Sequence, residues 1–411
     1  MYAAAVLAAD VEPTGFLAVA GTAAVAGTIA AMVTGRGLLL PAVVVELVLG
    51  VIIGPQVLGL DVSEFLQFFA DLGLGMLFFF AGYEIDIERI RGEPLLLGLA
   101  GWVLSLVIAY SLGGVLAAFG VVVSLVYVGS ALATTAIGTL IPVLSDTGEL
   151  ETDFGRYLLA AGAVGEFGPI LLLTLVLSTQ SAVHNALILV AFVALAVGVA
   201  VLAVRSAGRT VPMLERTIET SSQLAVRWIV VLVFALALLA SELGLDLLLG
   251  GFAAGLITRQ TLRSREIPFF DSKLTAVAFG VFIPFFFVVS GMRLDVDALF
   301  SSVGSVAKMG TFFVLFLVVR GTPAMLLYRR VLPLRQDREA LALFTATQLP
   351  LVVAITTVAV DGGHMRSSTA AALVGAGALS TLAGPLHGLH VRRSSAQRRA
   401  TEAAEVQQVS A

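Results

Sequence analysis

The sequence predicts an all-α polytopic membrane protein of 13 transmembrane helices. Three observations predict it. Of 411 residues 58% are apolar and 13% charged, and the mean hydropathy is +1.01, more apolar surface than a soluble core of this size can hide. Apolar runs of about 17 to 25 residues, the length that crosses a bilayer, recur between charge clusters and turn residues. When successive loops are assigned to alternate sides, 20 of the 24 Lys and Arg residues collect on the side of the C-terminus.

In chain order the spans cover residues 14–34, 38–57, 66–84, 94–118, 122–144, 156–179, 184–204, 223–242, 244–261, 274–292, 304–328, 338–360 and 368–390. Residues 1–13 form a short segment ahead of the first span, without the basic n-region of a cleaved signal peptide, and residues 391–411 form a short tail. Arg293, Lys308 and Arg366 fall on the sparse side and Arg320 lies inside the eleventh span. The bias places the C-terminus in the cytoplasm and the N-terminus outside, in a multi-pass protein of the cell inner membrane. Omitting one helix would invert every later loop, so the bias also argues for an odd number of spans.

Some chemistries are excluded early. Cysteine is absent, so there are neither disulfides nor thiolate sites. His184, His364, His387 and His390 lack metal-ligand spacing, and no transition-metal site or cofactor is expected. No phosphate-cradling loop or nucleophile with a nearby base stands out, so the chain reads as neither an enzyme nor a nucleic-acid binder.

The chain carries an internal repeat. Phe78-Phe79-Phe80 leads to Gly82-Tyr83-Glu84-Ile85-Asp86 at the end of the third span, and Phe285-Phe286-Phe287 leads to Gly291-Met292-Arg293-Leu294-Asp295 at the end of the tenth. Gly50-xxx-Gly54 in the second span matches Gly251-xxx-Gly255 in the ninth. Both matches join spans seven apart, and an odd shift makes the copies antiparallel. The chain divides into repeat one, about 14–179, a linker helix, about 184–204, and repeat two, about 223–390. Inverted-topology repeats mark secondary transporters, whose sites lie where discontinuous helices meet. The glycine pairs also read as close-packing surfaces.

Two spans should unwind. The fifth carries Ala133-Thr134-Thr135-Ala136-Ile137-Gly138 at mid-length, and the twelfth carries Thr345-Ala346-Thr347-Gln348-Leu349-Pro350. Pro350 cannot continue a helix hydrogen-bond ladder, and the threonine and glutamine oxygens can satisfy freed backbone groups. The fifth span has no proline at its break, so a continuous helix remains open there.

Glu166 is the default functional residue: a carboxylate in the middle of LLAAGAVGEFGPILLLTLVLS. At that depth a carboxylate must be protonated, paired or holding a cation.

Taken together, LGVIIGP in the second span, DLGLGMLFFFAGYEID in the third, ALATTAIGTLIPVLSD in the fifth and VFIPFFFVVSGMRLD in the tenth resemble the membrane domain of monovalent cation:proton antiporters of the second family. The resemblance covers roughly residues 14–390 and implies a homodimer in which a core domain moves against a dimerisation domain, carrying the ion site across the bilayer. In such proteins the site is a pair of adjacent residues on the sixth span, Asp-Asp, Asn-Asp or Gln-Asp. Glu166 takes the second position; Gly165 takes the first and departs from the pattern. With one carboxylate, a proton and a cation compete for one charge, which predicts electroneutral one-for-one exchange of Na+ or K+ for H+. Thr134, Thr135 and Gln348 are the accompanying candidate ligands.

Arg320 falls where this family carries an intramembrane cation. It either pairs with Glu166 or sits nearby and tunes it; the turn before Gly165 offers only Ala160, Ala161 and Gly162. Glu84 and Glu46 are candidates for an access funnel, or are simply solvated. Arg392, Arg393, Arg398 and Arg399 read as topology determinants and contacts to anionic membrane lipid. The competing readings are a cation channel or leak on the same scaffold, for which no filter sequence is visible, and an organic-ion carrier of a related fold.

Overall fold

Each predicted span falls on a helix or on a broken pair of helices. The computed structural model describes residues 13–36, 40–85, 87–120, 122–176, 182–217, 222–243, 245, 247–262, 270–300 and 303–410. Helices α1 (Pro13–Thr34), α2 (Ala42–Ile53), α3 (Glu64–Tyr83) and α4 (Glu93–Ala118) form the first four spans. The fifth is divided into α5 (Leu125–Leu132) and α6 (Ile137–Asp146). There follow α7 (Asp153–Val176), α8 (Ala182–Thr217), α9 (Leu224–Glu242) and α10 (Leu247–Leu262). Next come α11 (Phe270–Met292), with a π-helical turn at Ala278–Phe282, and α12 (Val303–Leu327). The twelfth span is divided into α13 (Arg335–Thr345) and α14 (Pro350–Asp361), and α15 (Ser367–Ser410) completes the series. No strand occurs among the described residues. Ten of these spans, the divided twelfth included, are long and apolar enough on their own to cross a membrane.

The helices α8 and α15 overrun their predicted ends at 204 and 390. Charged residues end the apolar stretch, but Arg, Ala and Glu are good helix formers, so the helix continues past it.

The chain sorts into two compact units, each built from both halves of the sequence. One comprises Met1–Asp86 and Ile170–Leu294, the other Ile87–Pro169 and Asp295–Ala411. In the first unit α2 lies along α11, and α10 lies along α3. The proposed repeat relates α2 to α10 and α3 to α11, so these two contacts are one contact seen twice. A Cβ on Gly50 would collide with the carbonyl oxygen of Val288, and one on Gly255 with that of Phe79. The glycine pairs therefore lie on surfaces where helix backbones meet directly, as Gly73, Gly82 and Gly291 do on α3 and α11. Phe16, Phe69 and Phe285 close the neighbouring core, with ring centroids 5.1 to 5.3 Å apart, against Val19, Leu66 and Val288.

Replacing Gly255 by Val forces α3 and α10 apart. It is expected to cost about 1–3 kcal/mol, read as a lowered unfolding temperature of the detergent-solubilised protein; an unchanged temperature would contradict the packing described.

In the second unit α12 lies against α4, α13 and α15, and the four half-helices of the divided spans belong to this unit.

Candidate cation and proton site

Both divided spans break where the threonines predicted it, at Ala133–Ala136 and at Ala346–Leu349. Inside a membrane each freed backbone group needs a protein partner, so the two breaks serve one another. The Ala136 amide donates to the Thr347 carbonyl at 2.8 Å. The Thr134 hydroxyl reaches Gln348 Oε1 at 3.0 Å, and Gln348 Nε2 donates to the Leu132 carbonyl at 3.3 Å. Ser380 of α15 accepts the Gln348 amide at 2.9 Å. The fifth span breaks without a proline because partners for its open groups come from elsewhere in the chain.

Two prolines elsewhere prepare the ground. Pro169 lies inside α7 and has no N–H, so the Gly165 carbonyl loses its donor within the helix. The Thr135 amide takes that carbonyl at 3.1 Å. Pro323 does the same in α12 for the Val319 carbonyl, which accepts from the Ser105 hydroxyl at 3.0 Å. Thr135 Oγ1 in turn donates to the Thr345 carbonyl at 2.6 Å. With their protons thus committed, both hydroxyl oxygens are left as acceptors.

Arg320 uses them. Its Nε donates to Thr135 Oγ1 at 2.9 Å, Nη1 to Ser105 Oγ at 3.2 Å and Nη2 to the Ala161 carbonyl at 3.0 Å. The residue is 4% exposed, and all three acceptors are neutral. Glu166 is not among them, so the reading of a fixed Arg320–Glu166 pair finds no contact here. Beside the guanidinium is a cavity the size of one water molecule, lined by Gly98, Gly101, Tyr328 and Thr345 among others. The buried Tyr328 hydroxyl has no hydrogen-bond partner. Ser105, Pro169 and Pro323 are not among the residues expected from the sequence; the signal for the two prolines is their place inside apolar spans, where each frees a carbonyl one turn earlier, and Ser105 carries no such signal.

Glu166 is 6% exposed on α7. The Ile137 amide, at the first residue of α6, hydrogen-bonds to its carboxyl group, where the positive end of a helix dipole favours negative charge. Its Oε2 is buried with no hydrogen-bond partner. Thr134 and Gln348 bond to each other across the crossing and Thr135 is drawn into the arginine shell, so all five predicted residues lie in one unit. Glu46, 5% exposed on α2, and the half-buried Glu84 at the end of α3 belong to the other unit. Asp86 and the side chains of His184, Arg393, Arg398 and Arg399 lie outside the described residues.

Pro169→Ala restores an amide that can reclaim the Gly165 carbonyl from Thr135. Cation-driven proton flux is expected to fall several-fold with little net change in thermal stability, because the bond the helix gains is offset by the one the Thr135 amide loses; wild-type flux would show that the freed carbonyl is dispensable.

Arg392 corrects an expectation. Instead of facing lipid it is 5% exposed, with Nη1 2.6 Å from Asp337 Oδ1 and Nη2 2.8 Å from Glu149 Oε2. Its guanidinium lies 4.4 Å above the Phe154 ring centroid. Because α15 runs on past residue 390, Arg392 sits on a helical face turned inward rather than in a solvated tail.

The model of the family described as sodium/hydrogen exchanger, transmembrane, matches residues 21–388. The chain belongs to this family. As a member of the sodium/hydrogen exchangers it stands among the monovalent cation/proton antiporters. It is 27% identical to the Na(+)/H(+)-K(+) antiporter GerN of Bacillus cereus over 63% of this chain and 67% of that protein. It is likewise 27% identical to the probable Na(+)/H(+) antiporter 3 of Methanocaldococcus jannaschii, over 64% and 68%. The putative Na(+)/H(+) antiporter YjbQ of Bacillus subtilis is 24% identical over 84% of this chain and 58% of its own length. These relatives are transporters rather than enzymes. Among solved structures, the sodium proton antiporter MjNhaP1 of Methanocaldococcus jannaschii shares the fold, with a TM-score of 0.61, 14% identity, and 91% of this chain and 95% of that chain covered.

Proposed function

We propose that this exchanger trades one monovalent cation, Na+ or K+, for one proton, with the two competing for the Glu166 carboxyl group. The observation that carries the reading is the state of that group: buried, with one oxygen lacking any partner and with glycine where a second polar side chain would stand. A carboxylate so placed is stable only when it holds a proton or a cation. The Arg320 charge is fixed and its hydrogen-bonding partners are neutral, so the net charge near the site is the same with either cargo. That equality is the basis for electroneutral exchange. All five candidate residues belong to one compact unit, in keeping with an elevator in which that unit carries the ion while the other, as part of a homodimer in the lipid bilayer, stays put. The loop charges support an extracytoplasmic N-terminus and a cytoplasmic C-terminus in the inner membrane.

The test is proton flux in sealed proteoliposomes on adding sodium, potassium or lithium, with the membrane potential clamped or free. Saturable flux that ignores the potential supports one-for-one exchange. Flux that follows the potential means that a second charge moves, and the reading from Gly165 fails; flux that never saturates points to a channel.

A further inference from the structure

Gly165 immediately precedes Glu166, and the space beside its Cα is already filled. A Cβ built there would stand 2.5 Å from Arg320 Nη2 and 2.8 Å from Thr135 Oγ1, well inside the 3.5 to 4.0 Å or so at which non-bonded atoms rest. The guanidinium cannot retreat easily. It is buried, and its fork is fixed by acceptors on three separate elements: Ser105 on α4, Thr135 in the break after α5, and Ala161 on α7. A planar group with donors on three nitrogens can satisfy such a set at once; an ammonium cannot reach all three.

We propose that Gly165 and Arg320 form one specificity-setting unit. The missing side chain at 165 opens a slot along α7, the guanidinium of Arg320 occupies it, and from there it positions Thr135, and through Thr135 the whole crossing, beside Glu166. Arg320 is thus a positioning residue that works through the crossing without touching the transported ion. The slot also shapes what the ion meets. A polar side chain at 165 would offer an oxygen to a bound cation, whereas a guanidinium has donors only. From that side the cation receives no ligand and faces a positive charge, so its binding rests on Glu166 and on oxygens elsewhere around the carboxylate. This inference rests on Glu166 being the ion site; the slot itself is a matter of packing and can be tested separately.

The experiment compares wild type, Gly165→Ala, Arg320→Lys and the double variant, as full-length purified protein. Two quantities are measured: the unfolding temperature in detergent, and the maximal exchange rate in proteoliposomes at saturating cation. Gly165→Ala is expected to lower the unfolding temperature by about 3 °C or more and to reduce the rate at least tenfold. Arg320→Lys alone leaves at least one of the three buried acceptors unserved, so it is expected to lower the unfolding temperature modestly and, assayed well below that temperature where it is fully folded, to lose at least fivefold in rate, a loss that a merely structural arginine would not give. In the double variant the slender lysine yields to the new methyl group, so the thermal penalty of Gly165→Ala largely disappears.

Wild-type behaviour of Gly165→Ala overturns the proposal, and so does an equal thermal penalty on the arginine and lysine backgrounds. If Gly165→Ala yields no folded protein and Arg320→Lys does not restore the yield, the collision is not with the guanidinium and the proposal falls. Glu166→Gln, measured alongside, separates the two readings: activity there removes Glu166 as the ion site, while the thermal comparison still decides the slot.

Discussion

Glutamine at position 166 is expected to stop exchange while leaving the protein folded. The substitution preserves shape and keeps an oxygen to accept the Ile137 amide, but the new group carries neither a titratable proton nor a charge to hold a cation. Every step of the proposed competition therefore disappears, and transport should fall at least 100-fold, equivalent to about 2.7 kcal/mol or more. Stability should hold or rise, because a buried carboxyl group with an unpartnered oxygen is exchanged for a neutral amide. Glu166→Asp is the informative companion. It keeps the carboxyl group but withdraws it by one methylene from Ile137, so exchange should persist at a reduced rate. The measurement is cation-driven pH change in proteoliposomes beside thermal unfolding of the same preparations; robust flux through Glu166→Gln would show that the ion binds elsewhere.

The second large effect concerns stability. Arg392→Ala removes a buried guanidinium from between Asp337 and Glu149 and leaves two acidic groups with side-chain exposures of 6% and 17% facing the gap. Breaking a buried pair from one side costs about 3–5 kcal/mol, and lost packing on the Phe154 ring adds to it. A markedly lower unfolding temperature is expected, with part of the loss recovered when Asp337→Asn is added; a wild-type temperature for Arg392→Ala would contradict the geometry. The cluster also bears on the site. Glu149 lies between α6 and α7 and Asp337 in the first turn of α13, so one arginine ties down the ends of the two half-helices remote from their crossing.

Much of this was legible in the sequence, for physical reasons. A bilayer demands long apolar runs, so the spans could be counted, and it penalises buried charge, so Glu166 and Arg320 stood out. Pro350 announced its break because an absent amide is a property of the residue itself. The fifth span was less legible because its break depends on the Thr347 and Gly165 carbonyls, and backbone acceptors leave no trace in residue identity. The same reason hid the partners of Arg320: a buried cation suggests an acid such as Glu166, yet two hydroxyls and a carbonyl suffice. Arg392 was misread because an arginine next to a span boundary looks identical whether it faces lipid or turns inward; only the continuation of α15 decides.

The bonds that close the crossing join residues far apart in the chain: Thr134 to Gln348 across 214 positions, Thr135 to Thr345 across 210. While the protein is being made, the fifth span enters the membrane long before its partners exist. The Thr135 amide finds the Gly165 carbonyl early, but until residues 345–348 leave the ribosome the Ala136 amide lacks the Thr347 carbonyl and the Thr134 hydroxyl lacks Gln348, and Glu166 waits beside half a crossing. The crossing beside the proposed ion site is therefore among the last parts of the protein to come into being, completed only when nearly all of the spans are in the membrane.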